Sequence, residues 1–322
     1  MNTALETNGL GKRYRRLWAL RDCSLHLPAG RVAALVGPNG AGKTTLLHLA
    51  IGLLRPDAGA VRVLGETPTD GGAMRSRVGF VAQDVPLYRD FTAAELITMG
   101  GKLNRSRWDS ALAYARLSNL GIPLNRRVAK LSGGQRAQVA LSLALAKRPD
   151  LLLLDEPVAS LDPLARREFL QALMGAVAQD GTTVLLSSHL VGDLERVYDY
   201  LIVLHAARVQ VLGAVDALLA EHKLLVGPRH EAASIAGVGT VVQQSHTDKQ
   251  STLLVRTNGT IHDPLWTVQD ITLEDLVLAY LAEASAGALP GPTRIDISAA
   301  SGRSAAESAV KRPEPGGMGV PK

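Results

Sequence analysis

The sequence predicts an α/β fold built around a mostly parallel sheet, and three observations support this. Short runs rich in Val, Leu and Ile alternate with longer segments of helical periodicity. Several runs are apolar at nearly every position, which is typical of strands covered on both faces. A glycine-rich turn joins one such run directly to a helical segment. The predicted strands are Arg31–Val36, Val61–Leu64, Val78–Ala82, Leu151–Leu154, Thr182–Leu186 and Tyr200–Leu204.

Helical periodicity follows several of these runs. Pro163 fits the first turn of a helix, where its missing N–H costs no hydrogen bond. The predicted core helices are Lys43–Leu54, Gly134–Lys147, Pro163–Ala178 and Leu190–Val197. Residues 84–130 differ, because they carry helical patterns at Thr92–Met99 and Asp109–Leu120 and few strand signals. We therefore expect a helical subdomain at about residues 84–148, inserted between two halves of the core.

The pattern weakens in the last third of the chain. Val226–Gly259 is rich in Gly, Thr and Ser, with short strand-like runs such as Leu253–Arg256. Thr272–Ala284 predicts a helix, with Thr272 as its N-cap and two acidic residues in its first turn. The chain from Gly287 onward is rich in Pro, Gly, Ser and Ala, which predicts disorder. The expected units are a main α/β domain at residues 1–220, a small α+β appendage at 221–286 and a disordered tail at 287–322.

Composition excludes several classes of protein. Cys23 is the single cysteine among 322 residues, so neither an intramolecular disulfide nor a cysteine-based metal site can form. No apolar run approaches the about 20 uncharged residues of a membrane span, and the N-terminus has no signal-peptide pattern. The net charge of +5 comes without a block of Lys or Arg, so we expect no nucleic-acid partner. We expect a cytoplasmic protein unless a partner holds it at a membrane.

The segment Gly37–Thr45 reads GPNGAGKTT and matches a phosphate-binding loop. It follows an apolar run and opens a helix, so backbone N–H groups can curl around phosphates at a helix N-terminus. Lys43 would supply a positive charge to the β- and γ-phosphates, and the Thr44 hydroxyl would be a ligand of Mg²⁺. The predicted phosphate-binding residues are Gly37, Pro38, Asn39, Gly40, Ala41, Gly42, Lys43, Thr44 and Thr45.

An apolar strand ends in two carboxylates at Leu151–Pro157, which reads LLLLDEP. Asp155 at the strand end suits Mg²⁺, either as a direct ligand or through an intervening group. Glu156 is placed to polarise an attacking water as general base. Two acids after a leucine run are weak evidence alone, and the phosphate loop upstream makes them a candidate catalytic pair.

A second anion-binding turn is predicted at Leu131–Gln135, which reads LSGGQ. Gly133 and Gly134 lie just before a helix, where backbone N–H groups and the Ser132 hydroxyl can meet a phosphate. The first loop already serves the nucleotide of its own chain. The simplest assignment is therefore that Ser132, Gly133, Gly134 and Gln135 contact a nucleotide held by another subunit.

Across about Leu5–Gly213, these motifs in this order resemble those of the ATP-binding cassette (ABC) proteins. The resemblance implies an ATPase that binds ATP and Mg²⁺, with an N-terminal antiparallel β part beside the P-loop core. It implies that Leu131–Gln135 of one copy contacts the ATP of a second ABC ATPase subunit. It also implies an integral-membrane permease as a partner.

Further residues gain roles from this resemblance. Gln83 resembles the family's glutamine that contacts Mg²⁺ or the attacking water, and His189 resembles the histidine that contacts the γ-phosphate. Ser160–Asp162 resembles the loop that crosses the dimer interface. Tyr14 lies where the family usually stacks an aromatic ring on adenine.

Within the family, the resemblance is closest to exporter-type ATPases that work with a separate permease chain. The absence of a predicted span and the segment TLEDLVLAYL near the C-terminus favour this branch, which moves drugs, antibiotics, lipids or polysaccharides outward. An importer ATPase subunit and a soluble non-transport ABC ATPase are the alternatives. DNA-acting members separate the motifs by long coiled coils, and Thr45–Leu131 is too short and lacks heptads. A P-loop kinase or GTPase would leave Leu131–Gln135 unexplained.

Overall fold

The structure is a computed structural model that describes residues 2–68, 72–159, 161–189, 197–229 and 235–282. Its strands are β1 (Thr3–Tyr14), β2 (Leu17–Pro28), β3 (Val32–Val36), β4 (Ala58–Val63), β5 (Val78–Val81), β6 (Leu151–Leu154), β7 (Thr183–Ser188), β8 (Tyr200–His205), β9 (Arg208–Ala214), β10 (His222–Pro228), β11 (Val238–His246), β12 (Gln250–Thr257) and β13 (Thr267–Gln269). Its helices are α1 (Lys43–Ala50), α2 (Gly72–Arg77), α3 (Ala93–Leu103), α4 (Ser110–Asn119), α5 (Gly133–Ala146), α6 (Pro163–Asp180), α7 (Val215–Glu221) and α8 (Leu273–Ala282).

The core sheet has six strands in the order β5-β6-β7-β3-β8-β9. The first five run parallel, and β9 is antiparallel to β8. Every residue of β3, β6 and β7 is buried, as expected for parallel strands with helices on both faces. The predicted α/β fold with a mostly parallel sheet is confirmed, and the six predicted strands are all present. The carboxyl ends of β3, β6 and β7 meet at one edge, where open α/β sheets bind ligands.

Hydrophobic clusters fill both sides of this sheet. On one side, the antiparallel sheet β2-β1-β4 and helix α1 enclose a cluster that includes Leu5, Leu35 and Leu46. The other side holds a cluster with Leu141 of α5 and Phe169 of α6. The expected N-terminal antiparallel part is therefore present, and it closes the face of the sheet from which the Gly37–Thr45 loop rises.

The helical insert is also confirmed. Helices α3 and α4 and one side of α5 share their own cluster, which includes Leu96, Leu117 and Val139. Helix α5 belongs to this cluster and to the core cluster, since Leu141 and Leu145 pack in the latter. One rigid helix therefore joins the insert to the sheet.

The C-terminal part forms a second antiparallel sheet in the order β11-β12-β10-β13. Helix α8 packs in the same hydrophobic cluster as the core helices through Leu276 and Tyr280. The opposite face of the sheet is covered by Trp266, which lies so close to Gly227 that a Cβ there would be 2.6 Å from its ring. The expected α+β appendage is present, and its strands are longer than the short run Leu253–Arg256 predicted for it.

Three predictions fall on residues outside the described ranges. They concern Ser160 of the interface loop, the helix Leu190–Val197 except for its last residue, and the tail 287–322. In the part of the chain that the structure describes, no helix combines the length and the hydropathy of a membrane span.

Candidate nucleotide-binding site

The Gly37–Thr45 loop links the carboxyl end of β3 to the first turn of α1. Gly37 must be a glycine because a Cβ there would lie 2.1 Å from the Leu204 carbonyl oxygen. Gly42 has a φ of +108° and precedes the helix, and its missing side chain makes room for the Ala19 carbonyl of β2. These two positions hold the loop tightly against its neighbours. The free N–H groups at the start of α1 face the space that the loop surrounds.

Lys43 is the first residue of α1 and is 5% exposed in its side chain. Its ammonium donates to the Gly37 carbonyl at 2.7 Å and to the Pro38 carbonyl at 3.3 Å. The same nitrogen lies 3.2 Å from Glu156 Oε1, and Glu156 is 8% exposed. A buried ammonium therefore lies between the loop's carbonyls and the predicted general base.

Glu156 also contacts His189, which follows β7. Its Oε2 is 2.6 Å from His189 Nδ1, and the imidazole side chain is 39% exposed. Because carboxylates only accept hydrogen bonds when ionised, Nδ1–H is the donor to that ionised form. The structure thus connects Lys43, Glu156 and His189 in one chain of contacts, although they come from three distant parts of the sequence.

Asp155 lies at the end of β6 and is buried. Its Oδ1 accepts a hydrogen bond of 2.7 Å from Ser187 Oγ, and the same Oγ accepts one of 2.8 Å from the Glu156 N–H. Glu156 has a φ of +45°, which a side chain with a Cβ rarely adopts. Sequence reasoning missed Ser187, since nothing in a serine near the end of an apolar strand signals contact with two acids 31 and 32 residues away.

The donors available to Mg²⁺ are oxygen atoms. The side chains of Thr44 and Gln83 are exposed, and Asp155 directly follows β6. Within the described ranges, no cluster of three or more His, Cys, Asp or Glu side chains could hold a metal ion. One hydroxyl and one carboxylate with few other protein ligands fit Mg²⁺, which usually keeps waters and takes further oxygens from the substrate's phosphates.

The LSGGQ segment begins α5. Ser132 is the N-cap, its Oγ accepts from the Gln135 N–H at 3.2 Å, and Gln135 Oε1 accepts from the Ser132 N–H at 3.0 Å. This capping box fixes the first turn. Ser132 and Gly133 are exposed, so the helix N-terminus is open to an external anion.

The remaining predicted residues lie on exposed turns. Tyr14 ends β1 at a hairpin and is half exposed, next to Arg13, whose guanidinium stacks on the Trp18 ring at 5.6 Å. Asp162 caps α6 by accepting from the Ala165 N–H at 2.9 Å, as expected for an Asp directly ahead of Pro163 at a helix start.

The geometry agrees with the comparisons with known proteins. A family model described as ABC transporter matches residues 20–159. The Nod factor export ATP-binding protein I of Paraburkholderia xenovorans (strain LB400) is 36% identical over 225 residues, which cover 67% of this chain and 73% of that protein. The chain belongs to the ABC transporter family. It is an ATP-binding subunit, and this family couples ATP hydrolysis to transport.

Two further ABC proteins show the breadth of the likeness. The molybdenum import ATP-binding protein ModC of Mycobacterium tuberculosis (strain ATCC 25618 / H37Rv) is 37% identical over 235 residues, which cover 68% of this chain and 62% of that protein. The solved dimeric post-hydrolysis state of the ATP-binding cassette MJ0796, bound to ADP and Pi, matches with a TM-score of 0.57 and 26% identity. That match covers 66% of this chain and 98% of that chain. Exporters and importers are both among the relatives of this ABC ATPase.

Proposed function

We propose that this ABC ATPase binds and hydrolyses ATP with Mg²⁺, closes head to tail with a second copy, and drives export through a separate permease chain. The observation that carries the proposal is the chain of contacts from Lys43 through the buried Glu156 to His189. It lies beside a glycine loop and a helix N-terminus. An ammonium, a carboxylate and an imidazole in that order are suited to bind a terminal phosphate and to polarise a water beside it.

Nucleotide binding is assigned to the loop Gly37–Thr45. Its backbone N–H groups and Lys43 would hold the phosphates, and Tyr14 would stack on the adenine. Thr44, Asp155 and Gln83 would hold Mg²⁺, which supplies positive charge to the phosphate oxygens. The tight packing of Gly37 against the Leu204 carbonyl and of Gly42 against the Ala19 carbonyl supports this assignment, because it keeps the loop in one shape.

Hydrolysis is assigned to Glu156 and His189. Glu156 would accept a proton from the attacking water, and His189 Nδ1–H would orient its carboxylate through the 2.6 Å contact. Lys43 lies 3.2 Å from Glu156 Oε1. A γ-phosphate that takes over Lys43 would release this carboxylate to face water. Nucleotide entry and activation of the base would then be linked through Lys43.

Dimerisation is assigned to Ser132, Gly133, Gly134 and Gln135. The Ser132 Oγ uses a lone pair to cap α5, so its own proton stays available to a phosphate of the facing subunit. The exposed N–H groups at the start of α5 add partial positive charge. ATP would then join two positively polarised surfaces.

A permease would dock on an apolar cavity of about 680 Å³ between the helical insert and the core sheet. Its walls include Phe80, Leu87 and Trp108. Tyr88, which follows Gln83 by five residues, is 61% exposed on a neighbouring turn. Insertion of a permease helix here would connect its movement to Gln83, and it would hold the chain at the inner face of the cell membrane.

Export is favoured by the Nod factor relative and by helix α8, which carries the TLEDLVLAYL segment. The division into residues 1–220 and 221–286 belongs to the same proposal, with α8 as the element that attaches the second part to the first. An importer subunit is the second candidate, because the ModC relative matches with similar identity over a similar share of this chain.

The test is recovery of the permease. Tagged Glu156→Gln protein should hold ATP without hydrolysing it, so it should co-purify with a multi-span membrane protein from detergent-solubilised membranes in Mg-ATP. Lys43→Ala is the matched control, because it should lose nucleotide affinity and recover less of that protein in ATP. Mass spectrometry of the eluates makes the comparison. Recovery of soluble partners, ribosomes or nucleic acid alone would contradict the transport role and leave the ATPase assignment standing.

A further inference from the structure

Ser187 is a buried serine between the two candidate catalytic carboxylates. It lies near the end of β7, beside β6 in the core sheet, and is 1% exposed. Its Oγ donates to Asp155 Oδ1 at 2.7 Å and accepts from the Glu156 N–H at 2.8 Å. One hydroxyl therefore contacts the side chain of one acid and the backbone of the next.

The direction of these two hydrogen bonds is fixed by the hydroxyl. Ser187 Oγ has one proton and two lone pairs, and an ionised carboxylate can only accept. Once the proton is given to Asp155, a lone pair of the same oxygen is available to the Glu156 N–H. The two bonds are compatible with each other, and through them one hydroxyl links Asp155 to Glu156.

The bond to Glu156 acts on a strained backbone. A φ of +45° is costly for a residue with a Cβ, and such conformations persist where the surroundings hold them. The Glu156 N–H is held by Ser187, and its carboxylate is held between Lys43 and His189. Without the hydroxyl, a buried N–H and a buried carboxylate oxygen would each lose a partner.

We propose that Ser187 is a positioning residue that sets the carboxylate of Asp155 and the backbone of Glu156 for hydrolysis. The proposal rests on the roles given to these two acids under the proposed function. Both hydrogen bonds of Ser187 Oγ go to these two acids, so its effect should fall on turnover and on the response to Mg²⁺. The affinity of the loop for nucleotide should stay close to that of the unchanged protein.

The sharpest test compares two isosteric substitutions. Ser187→Thr keeps the hydroxyl and Ser187→Val replaces it with a methyl group, while both add the same bulk to a β-strand position. Ser187→Val should lower kcat by about tenfold to a hundredfold, as expected for a group that orients a metal ligand. It should also need more Mg²⁺ for half-maximal turnover, and Ser187→Thr should recover both properties. The KM for ATP should change little in either variant.

Ser142→Ala controls for the loss of any buried serine. Ser142 is also fully buried, and its Oγ donates to the Gln138 carbonyl at 2.8 Å inside α5. Loss of this hydroxyl should lower the Tm without changing the Mg²⁺ concentration needed for half-maximal turnover. Equal turnover in Ser187→Val and Ser187→Thr would overturn the proposal, and so would a loss of nucleotide binding in proportion to turnover. If neither Ser187 variant folds, Ser187→Ala takes the place of Ser187→Val and is judged against the unchanged protein by the same outcomes.

The same assay separates this proposal from the one on which it rests. Turnover by the unchanged protein that disappears in Lys43→Ala supports the ATPase assignment, whatever the Ser187 variants do. Absence of turnover in the unchanged protein would contradict both proposals. Normal turnover in every Ser187 variant would contradict only the positioning role.

Discussion

At the scale of single residues, the site places opposite charges in contact. Lys43 and Glu156 are both nearly buried and lie 3.2 Å apart. A charge pair with little exposure to water interacts more strongly than one on the surface. A phosphate that binds Lys43 would therefore compete with Glu156 for it, and we expect this competition to set part of the affinity for nucleotide.

Removal of this competition should tighten nucleotide binding. Glu156→Gln keeps the shape of the side chain and removes its charge, so Lys43 becomes free to meet the γ-phosphate. We expect affinity for a non-hydrolysable ATP analogue to rise about tenfold, or about 1.4 kcal/mol. Isothermal titration calorimetry measures this change.

The matched control is Glu95→Gln on the helical insert. Glu95 accepts from the Thr92 N–H at the start of α3, and a glutamine can keep that capping box. This variant should bind the analogue as the unchanged protein does. Unchanged or weaker binding by Glu156→Gln would show that the ion pair does not oppose the nucleotide.

The sequence predicted the residues of the site better than their contacts. Gly37–Thr45, Asp155 and Glu156 were predictable because each stands at the end of an apolar run that must be a buried strand. The Lys43–Glu156 pair joins residues 113 positions apart, and its geometry depends on the order of β3, β6 and β7 in the sheet. No local pattern encodes that order, and the same reason hid Ser187.

At the scale of elements, the C-terminal part is joined to the core by a buried polar pair. His222 opens β10, and its Nδ1 donates to the Leu218 carbonyl of α7 at 2.7 Å. Tyr280 of α8 donates its hydroxyl to His222 Nε2 at 2.9 Å. Burial lowers the pKa of His222 and raises that of Tyr280 to about 12, with Arg256 and Glu221 as the nearby charges. The imidazole is therefore neutral in the folded chain.

This arrangement predicts loss of stability in acid. The unfolded chain binds a proton at His222 below about pH 6.5, while the folded chain resists that proton down to its lower pKa. The contribution of His222 to the free energy of unfolding is thus fully present above about pH 6.5. It is lost as the pH falls through the lower pKa of the folded chain. Urea unfolding should give a smaller free energy of unfolding at pH 5.5 than at pH 7.5. This difference between the two pH values should be smaller in His222→Gln.

Two variants complete that experiment. Tyr280→Phe leaves the imidazole acceptor without its donor and should cost about 1–3 kcal/mol at neutral pH. His246→Gln replaces an exposed histidine of the same sheet and should leave the pH dependence as it is. If the free energy of unfolding falls equally in acid for the unchanged protein and for His222→Gln, His222 is not the source of the pH dependence.

The same elements explain why the C-terminal part was harder to predict. Strands β10, β11 and β12 are antiparallel and mix buried residues with partly or fully exposed ones, so their burial is not continuous. Two register shifts interrupt simple alternation between β11 and β12, one between Val238 and Thr240 and one between Val241 and Gln243. The run that the sequence predicts in β12, Leu253–Arg256, contains the buried centre of that strand.

At the scale of the whole molecule, the two segments proposed to contact nucleotide lie on different surfaces. The loop Gly37–Thr45 lies at the edge of the core sheet, and Ser132–Gln135 starts a helix of the insert. Helix α5 carries that second segment and packs in both hydrophobic clusters. The position of one surface relative to the other therefore depends on a single rigid element, which suits a clamp closed by a nucleotide.

We expect ATP to join two copies of this chain through Ser132–Gln135. Light scattering after size exclusion should show Glu156→Gln at 34.1 kDa without nucleotide and at twice that mass in Mg-ATP. Adding Ser132→Asn should preserve the dimer, because Asn keeps the helix cap. Adding Ser132→Asp keeps the cap but repels a phosphate, so the chain should stay monomeric while it still binds ATP. If Glu156→Gln holds ATP as a monomer, or if Ser132→Asp leaves the dimer intact, ATP does not join two copies through Ser132–Gln135.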